Sequence, residues 1–330
     1  MPSILEVVCG GVNRIDKQSS YQFSELRLTF PEVRITAATV IYGRGGTFLW
    51  VIEKPLNLGA VYATLLPMAI QKSIQGLLID LDGTVVNGEE LIPGVAATLE
   101  WLQSQGIPYR FVTNTTSKPR KAILEKLARL GLAVPAEELF SAPVIARDYL
   151  LNHGLTRCYP LIKRSLQEDL EGISLVETSP QAVLIGDIGD ELSYAKLNMA
   201  FRFLLEGSAF IALARNRYFR GNDGLCLDVG SIVAALEYAS GCKALLIGKP
   251  AGEFFQMAAR SLNLAQGNIA VIGDDLEADV GGGQEAGSIG ILVRTGKFLP
   301  EQLKNSRVTP DVILDSFASL PKWFDSAQKS

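Results

Sequence analysis

Gly76-Leu77-Leu78-Ile79-Asp80-Leu81-Asp82-Gly83-Thr84 is the stretch on which the fold turns. An uncharged run meets an aspartate, and a second aspartate and a glycine follow at once. A short, all-apolar run of this kind suits a parallel strand buried on both faces, its end marked by the first charge. If the strand continues, Asp80 and Asp82 point to the same side, because strand side chains alternate with period two. Gly83 then lets the backbone turn sharply. Like charges held close do not both ionise cheaply, so one carboxylate of such a pair can be ionised and nucleophilic while the other keeps a proton. Taken alone, the same residues also read as a turn rich in Asp and Gly.

Outward from this stretch the text alternates. Residues 93–105 have helical spacing, 107–112 read as a strand, 117–130 as a charged amphipathic helix with Pro119 in its first turn, and 143–153 as another helix. Further on, 268–273 and 289–293 read as strands flanking a helix at 276–286. The pattern predicts an α/β fold, a doubly wound (Rossmann-like) parallel sheet with helices on both faces. A second α/β pattern, with strands at 182–186 and 210–214 and helices at 193–205 and 230–238, sits inside the first and predicts an inserted domain over 156–243. The core then comprises 68–155 and 244–330. Residues 1–67 differ in character, with short β-rich runs at 33–36, 39–42 and 47–52 among glycine clusters. Met68-Ala69-Ile70 stands just before the first core strand, and we read 1–67 as an upstream extension from a start set too early; the alternative is a small β-rich appendage on the core.

Parallel sheets of this type place ligand-binding residues beyond the carboxyl ends of strands. Three further pieces fall there. Thr113-Asn114-Thr115 offers a hydroxyl and backbone N–H groups just before a helix, a seat for phosphate or an ordinary N-cap. Gly248-Lys249-Pro250 offers a lysine that could neutralise a transferring phosphoryl group, or a solvated surface charge. Gly273-Asp274-Asp275, with Asp279 a turn later, offers hard oxygen ligands for Mg²⁺, or a helix start favoured by the macrodipole. Four such pieces, each at a strand's end, outweigh the separate bland readings.

Composition narrows the rest. The 330 residues carry 31 Lys+Arg against 35 Asp+Glu, a net charge of −4, and 48% are hydrophobic. The pI is about 5.3 and the mean hydropathy +0.20. A mildly acidic chain without a basic block argues against nucleic acid as a partner. His153 is the single histidine, which excludes a zinc site built on several imidazoles. Four scattered cysteines without C-x-x-C spacing, and no secretory signal or apolar run of membrane-spanning length, lead us to expect a cytoplasmic protein without a membrane partner.

Asp80-Leu81-Asp82-Gly83-Thr84, Thr113-Asn114, Lys249-Pro250 and Gly273-Asp274-Asp275 with Asp279 together resemble the four motifs of the haloacid dehalogenase-like (HAD) phosphatase superfamily. The insert resembles the large α/β cap, type C2, of its class IIA members. Segments 224–230, 235–239 and 280–284 strengthen the likeness within that class. The resemblance implies Asp80 as a nucleophile that forms an aspartyl-phosphate, and Asp82 as general acid and then base. It implies Thr113 and the Asn114 backbone on phosphoryl oxygens, with Lys249 balancing charge. Mg²⁺ would be held by Asp80, the Asp82 carbonyl and Asp274, with Asp275 or Asp279 orienting them. The implied activity is hydrolysis of small phosphorylated substrates, phosphomonoesters first and pyrophosphate or phosphoamide bonds as an option. A homodimer is compatible with it. A phosphotransferase or phosphomutase using the same nucleophile, and a non-catalytic binding protein of the same fold, are the rival readings.

Overall fold

The computed structural model describes residues 74–326 apart from 222–223, leaving aside the side chains of 219–221, 225 and 326, and before them the backbone of short strands between Val8 and Val51. The chain divides into two units, residues 1–68 and 69–330. In the first, Val8–Cys9, Leu26–Phe30 and Val33–Ala37 form one antiparallel sheet; Val12–Arg14, Tyr21–Phe23, Thr39–Tyr42 and Phe48–Val51 form another. Each of the three β-rich runs of the sequence therefore contains a strand.

The second unit is built on a six-stranded parallel sheet. Its order is Leu139–Ser141, Tyr109–Thr113, Gly76–Asp80, Ile269–Gly273, Ile289–Val293 and Val312–Leu314. The winding goes outward from Gly76–Asp80 in one direction, then returns to its other side, so the topological switch lies between Gly76–Asp80 and Ile269–Gly273. Both central strands are buried at every residue. Their side chains alternate between two cores. Leu77, Ile79, Ala270 and Ile272 face the side covered by helices Val95–Ser104 and Arg120–Arg129. Leu78, Ile269 and Val271 face helices Ala142–Asn152 and Gly252–Arg260.

A second parallel sheet, ordered Ser174–Leu175, Arg157–Leu161, Ala182–Ile185, Ala209–Ala212 and Leu245–Leu246, lies within the same unit. Its last strand falls just beyond the 243 edge expected for the insert. One of its faces carries helices Tyr194–Leu205 and Val229–Ser240. The other contributes Cys158, Ala182, Leu184 and Ile211 to the core that Leu78 and Val271 also enter. Helices Ala142–Asn152 and Gly252–Arg260 are thus shared between the two sheets. Among the described residues no helix is long and apolar enough to cross a membrane.

Three elements differ from expectation for identifiable reasons. The strand ends at Asp80, because the N–H groups of Val85 and Val86 both return to the Leu81 carbonyl and close a tight turn. Pro119 is the N-cap, and the helix begins at Arg120, six residues beyond Asn114, with the Arg120 N–H donating to Asp169 at 2.8 Å. The expected 276–286 helix opens as a wide π-type turn, Leu276–Gly281, before a short α-helix, Gly282–Glu285. Here Gly282 and Gly283 pack flush on Pro250 and Val271; a Cβ on either would come within 2.7 Å of them.

Candidate active site

The site lies where the switch in strand order leaves two carboxyl ends side by side. Asp80 closes one central strand and Asp274 follows the other, and both are buried. Lys249, on the turn before helix Gly252–Arg260, reaches between Asp80 and Asp279. Its ammonium donates to Asp80 Oδ1 at 2.5 Å and to Asp279 Oδ1 at 2.6 Å. The wide turn after Asp275 gives Asp279 this position. Asp275 caps the turn through the Glu277 and Ala278 N–H groups, and its own N–H donates to Asp279 Oδ2 at 3.2 Å. Asp80 Oδ2 accepts from the Thr84 hydroxyl, also at 3.2 Å.

Asp274 sits in a backbone cradle. The Lys297 N–H donates to its Oδ2 at 2.6 Å. Gly83 (φ +93°) and Gly296 (φ +60°) approach it so closely that a Cβ on either would meet Oδ2 at 2.1 and 2.0 Å. Thr295 joins the two loops by donating its hydroxyl to the Gly83 carbonyl at 2.5 Å. Only glycine combines a positive φ with no side chain in the way.

Carboxylate oxygens of Asp80, Asp274 and Asp279 lie within 4.8 Å of one another, all three residues buried. The three carboxylates outnumber the one ammonium hydrogen-bonded among them, that of Lys249, in a site away from water. Burial, then the charge of Asp279, lifts the Asp80 carboxyl to about 8 against the opposing pull of Lys249. Burial likewise pushes Asp274 up to about 6, although the Lys297 N–H opposes it. Burial disfavours the Lys249 ammonium, but Asp279 and Asp80 outweigh that and raise its pKa. The residual charge and the hard oxygen donors fit a divalent cation such as Mg²⁺. Asp80, Asp274 and Asp279 are the side chains that could hold it.

Asp82 stands apart. Its side chain is exposed and lies beyond the end of the strand, so the alternation of strand side chains does not extend to it. A hydroxyl chain links it to the site: Thr113 donates to Thr115 Oγ1 at 3.0 Å, and Thr115 donates to Asp82 Oδ2 at 3.1 Å. Thr113 closes its strand beside Asp80's neighbour Val112. Asn114 spends its side chain on Lys249. Its amide donates to the Lys249 carbonyl at 2.8 Å and accepts the Lys249 N–H at 2.7 Å. The helix following Thr113 starts too late to offer its N-terminus, so any phosphate seat here uses the loop. The Asp275 carboxylate lies 3.7 Å from the Lys297 ammonium.

Sequence reading quoted Thr84 and Thr115 within their motifs without giving them a role, and missed the run Thr295-Gly296-Lys297. That run follows the apolar strand Ile289–Val293, so the rule that singled out Asp80 and Asp274 would have drawn attention to it. His153 makes a local contact only, its Nδ1 lying 2.8 Å from the Tyr149 carbonyl. In the polar run before the insert's second helix, Arg215 pairs with Glu237, and Tyr218–Gly221 forms a hairpin with Gly224–Leu227. Residues 222–223 of that run lie outside the described residues.

Known proteins resemble this chain in sequence and in fold. Residues 77–175 match the family described as haloacid dehalogenase-like hydrolase, and residues 246–320 the family described as HAD-hydrolase-like. Human haloacid dehalogenase-like hydrolase domain-containing protein 2 is 36% identical over 250 residues, 76% of this chain and 95% of that protein. Human phospholysine phosphohistidine inorganic pyrophosphate phosphatase is 35% identical, over 74% of this chain and 92% of that protein. The crystal structure of a 4-nitrophenylphosphatase from Thermotoga maritima superposes with a TM-score of 0.72 at 29% identity, covering 77% of this chain and 98% of that one. A hydrolase sequence pattern, a doubly wound sheet and three acidic side chains converging at its switch point all agree, and the chain belongs to the haloacid dehalogenase-like hydrolases.

Proposed function

We propose that the chain is a Mg²⁺-dependent phosphohydrolase acting on small phosphorylated molecules through an aspartyl-phosphate. The observation that carries this reading is the buried Asp80, locked by Lys249 at 2.5 Å beside Asp274 and Asp279. Relatives named as phosphatases support it. A divalent ion bound by the acidic cluster supplies positive charge that screens an anionic phosphoryl group from the carboxylates around it.

The chain's own residues carry the steps. Asp80 Oδ2, held among the described residues only by the Thr84 hydroxyl at 3.2 Å, attacks phosphorus while the bond to the leaving oxygen breaks. Asp82 gives its proton to that oxygen. The phosphoryl group now rests on Asp80. Asp82, ionised, takes a proton from water; the water oxygen attacks phosphorus, the Asp80–phosphorus bond breaks, and inorganic phosphate leaves. Thr113 and the Asn114 N–H hold phosphoryl oxygens, and Lys249 offsets the charge that gathers on them. The second sheet acts as a cap. The Leu213 carbonyl lies against Gly248, where a Cβ would meet it at 2.1 Å, so the insert touches the turn that carries Lys249. Such a cover excludes bulk water and bulky substrates and favours small ones.

Phosphate release from a panel of phosphorylated metabolites, with Mg²⁺ and after chelation, tests the proposal. Wild type should release phosphate only with the metal, and Asp80→Asn should release none. Equal release by wild type and that variant would overturn it, as would transfer to an added acceptor in place of phosphate release.

A further inference from the structure

We propose that Asp169 is a positioning residue for the phosphate seat: from the insert, through the amide of Arg120, it fixes the far end of the loop that follows Thr113. The inference deepens the phosphohydrolase reading and rests on it. Residues 114–119 join the strand Tyr109–Thr113 to the helix Arg120–Arg129. The near end of this loop is well held. Thr113 closes a strand paired on both sides, and Asn114 is clamped on the Lys249 backbone. The far end lacks the usual means. The first N–H groups of a helix have no partner within it and are commonly met by a capping side chain. Pro119 stands at the N-cap and brings no side-chain oxygen. The first turn holds no acidic residue and begins Arg120-Lys121, two cations at the positive end of the helix dipole.

The insert supplies what the helix lacks. Asp169 lies 49 positions away, on the short helix Arg164–Leu170, and its Oδ2 accepts the Arg120 N–H at 2.8 Å. The residue is only 5% exposed. A carboxylate so placed is costly unless donors and positive charge answer it, and the start of this helix offers both. Leu166 and Leu170, on the same short helix, are rooted in the core that the two sheets share, with Ile145 and Leu150. Packing within that core thus holds Asp169, and Asp169 holds the loop. Without it the loop is fixed at one end only, and the Thr113 hydroxyl and Asn114 N–H lose their aim at the phosphoryl oxygens. Small misplacements of this kind, remote from the reacting atoms, cost binding and rate.

Competitive inhibition of 4-nitrophenyl phosphate hydrolysis by inorganic phosphate reads the seat directly. Asp169→Ala should raise the inhibition constant of phosphate about tenfold, as the loss of a helix cap requires. Asp169→Asn keeps an acceptor and should stay within about twofold of wild type. Pro119→Asp, added to Asp169→Ala, gives the helix a cap of its own and should bring the constant back. A side chain that merely filled space could not be replaced in that way. Thermal melting checks that each variant is folded. In the wild type itself, the Arg120 amide should exchange with solvent slowly for the first N–H of a helix. An Asp169→Ala chain with an unchanged inhibition constant, an Asp169→Asn chain as weak as it, or rapid exchange at Arg120 would overturn the inference alone. A wild type that releases no phosphate from 4-nitrophenyl phosphate would overturn the phosphohydrolase reading and the inference together.

Discussion

At the scale of single residues, the hydroxyl chain from Thr113 through Thr115 to Asp82 ties the proposed seat of the phosphoryl group to the proposed proton donor. Thr115→Val removes the donor that holds Asp82 in place. Turnover of alkyl phosphates, whose leaving oxygens need the proton, should fall by about a hundredfold, and turnover of 4-nitrophenyl phosphate far less. Thr115→Ser should restore both; an equal loss on all substrates would mean that Thr115 merely supports the loop. Gly296→Ala would place a Cβ at 2.0 Å from Asp274 Oδ2. The carboxylate must move, and the Mg²⁺ concentration for half-maximal activity should rise by about ten- to a hundredfold. The aspartates and Lys249 are legible in the sequence because charge at the end of an apolar run has few structural uses. Gly296 and Lys297 are legible only by their place after an apolar strand, since they act through a missing side chain and a backbone N–H, neither of which leaves a mark in residue chemistry.

Elements repeat that contrast. The central strands can be read almost to the residue, because burial on both faces demands uninterrupted apolar text. Where the chain leaves regular structure, the letters mislead. Alternation puts Asp82 on the strand, but the turn onto the Leu81 carbonyl carries it outside. Helical spacing makes 276–286 look continuous, but close packing of Gly282 and Gly283 and the bond that draws Asp279 toward Lys249 require a wider turn. The clamp of Asn114 on the backbone of Lys249 joins the Tyr109–Thr113 strand to helix Gly252–Arg260 across 135 positions of sequence. Asn114→Ala should therefore lower kcat with Lys249 still present, and Asn114→Ser should recover little, being too short to meet both groups. Phe254 and Phe255 fill the core shared by the two sheets. Phe254→Ala should cost about 3–5 kcal/mol in urea unfolding. The loss should appear in one transition, because the shared core leaves neither sheet to unfold alone.

On the scale of the whole molecule, the chain divides at residue 68, and every candidate site residue named above falls within 69–330. A chain beginning at Met68 should keep the kcat of the full chain, measured with one substrate at saturating Mg²⁺. Added Mg²⁺ should raise the melting temperature of either chain, since a ligand bound only by the folded form stabilises it. The lysine between Asp80 and Asp279 bears on what happens without the ion. Removing a metal from a purely acidic nest leaves mutual repulsion with nothing to check it, and proteins built that way often come apart. Here a resident cation belonging to the polypeptide remains at the centre. Metal starvation should thus leave the molecule intact but idle, ready to resume work when the ion returns.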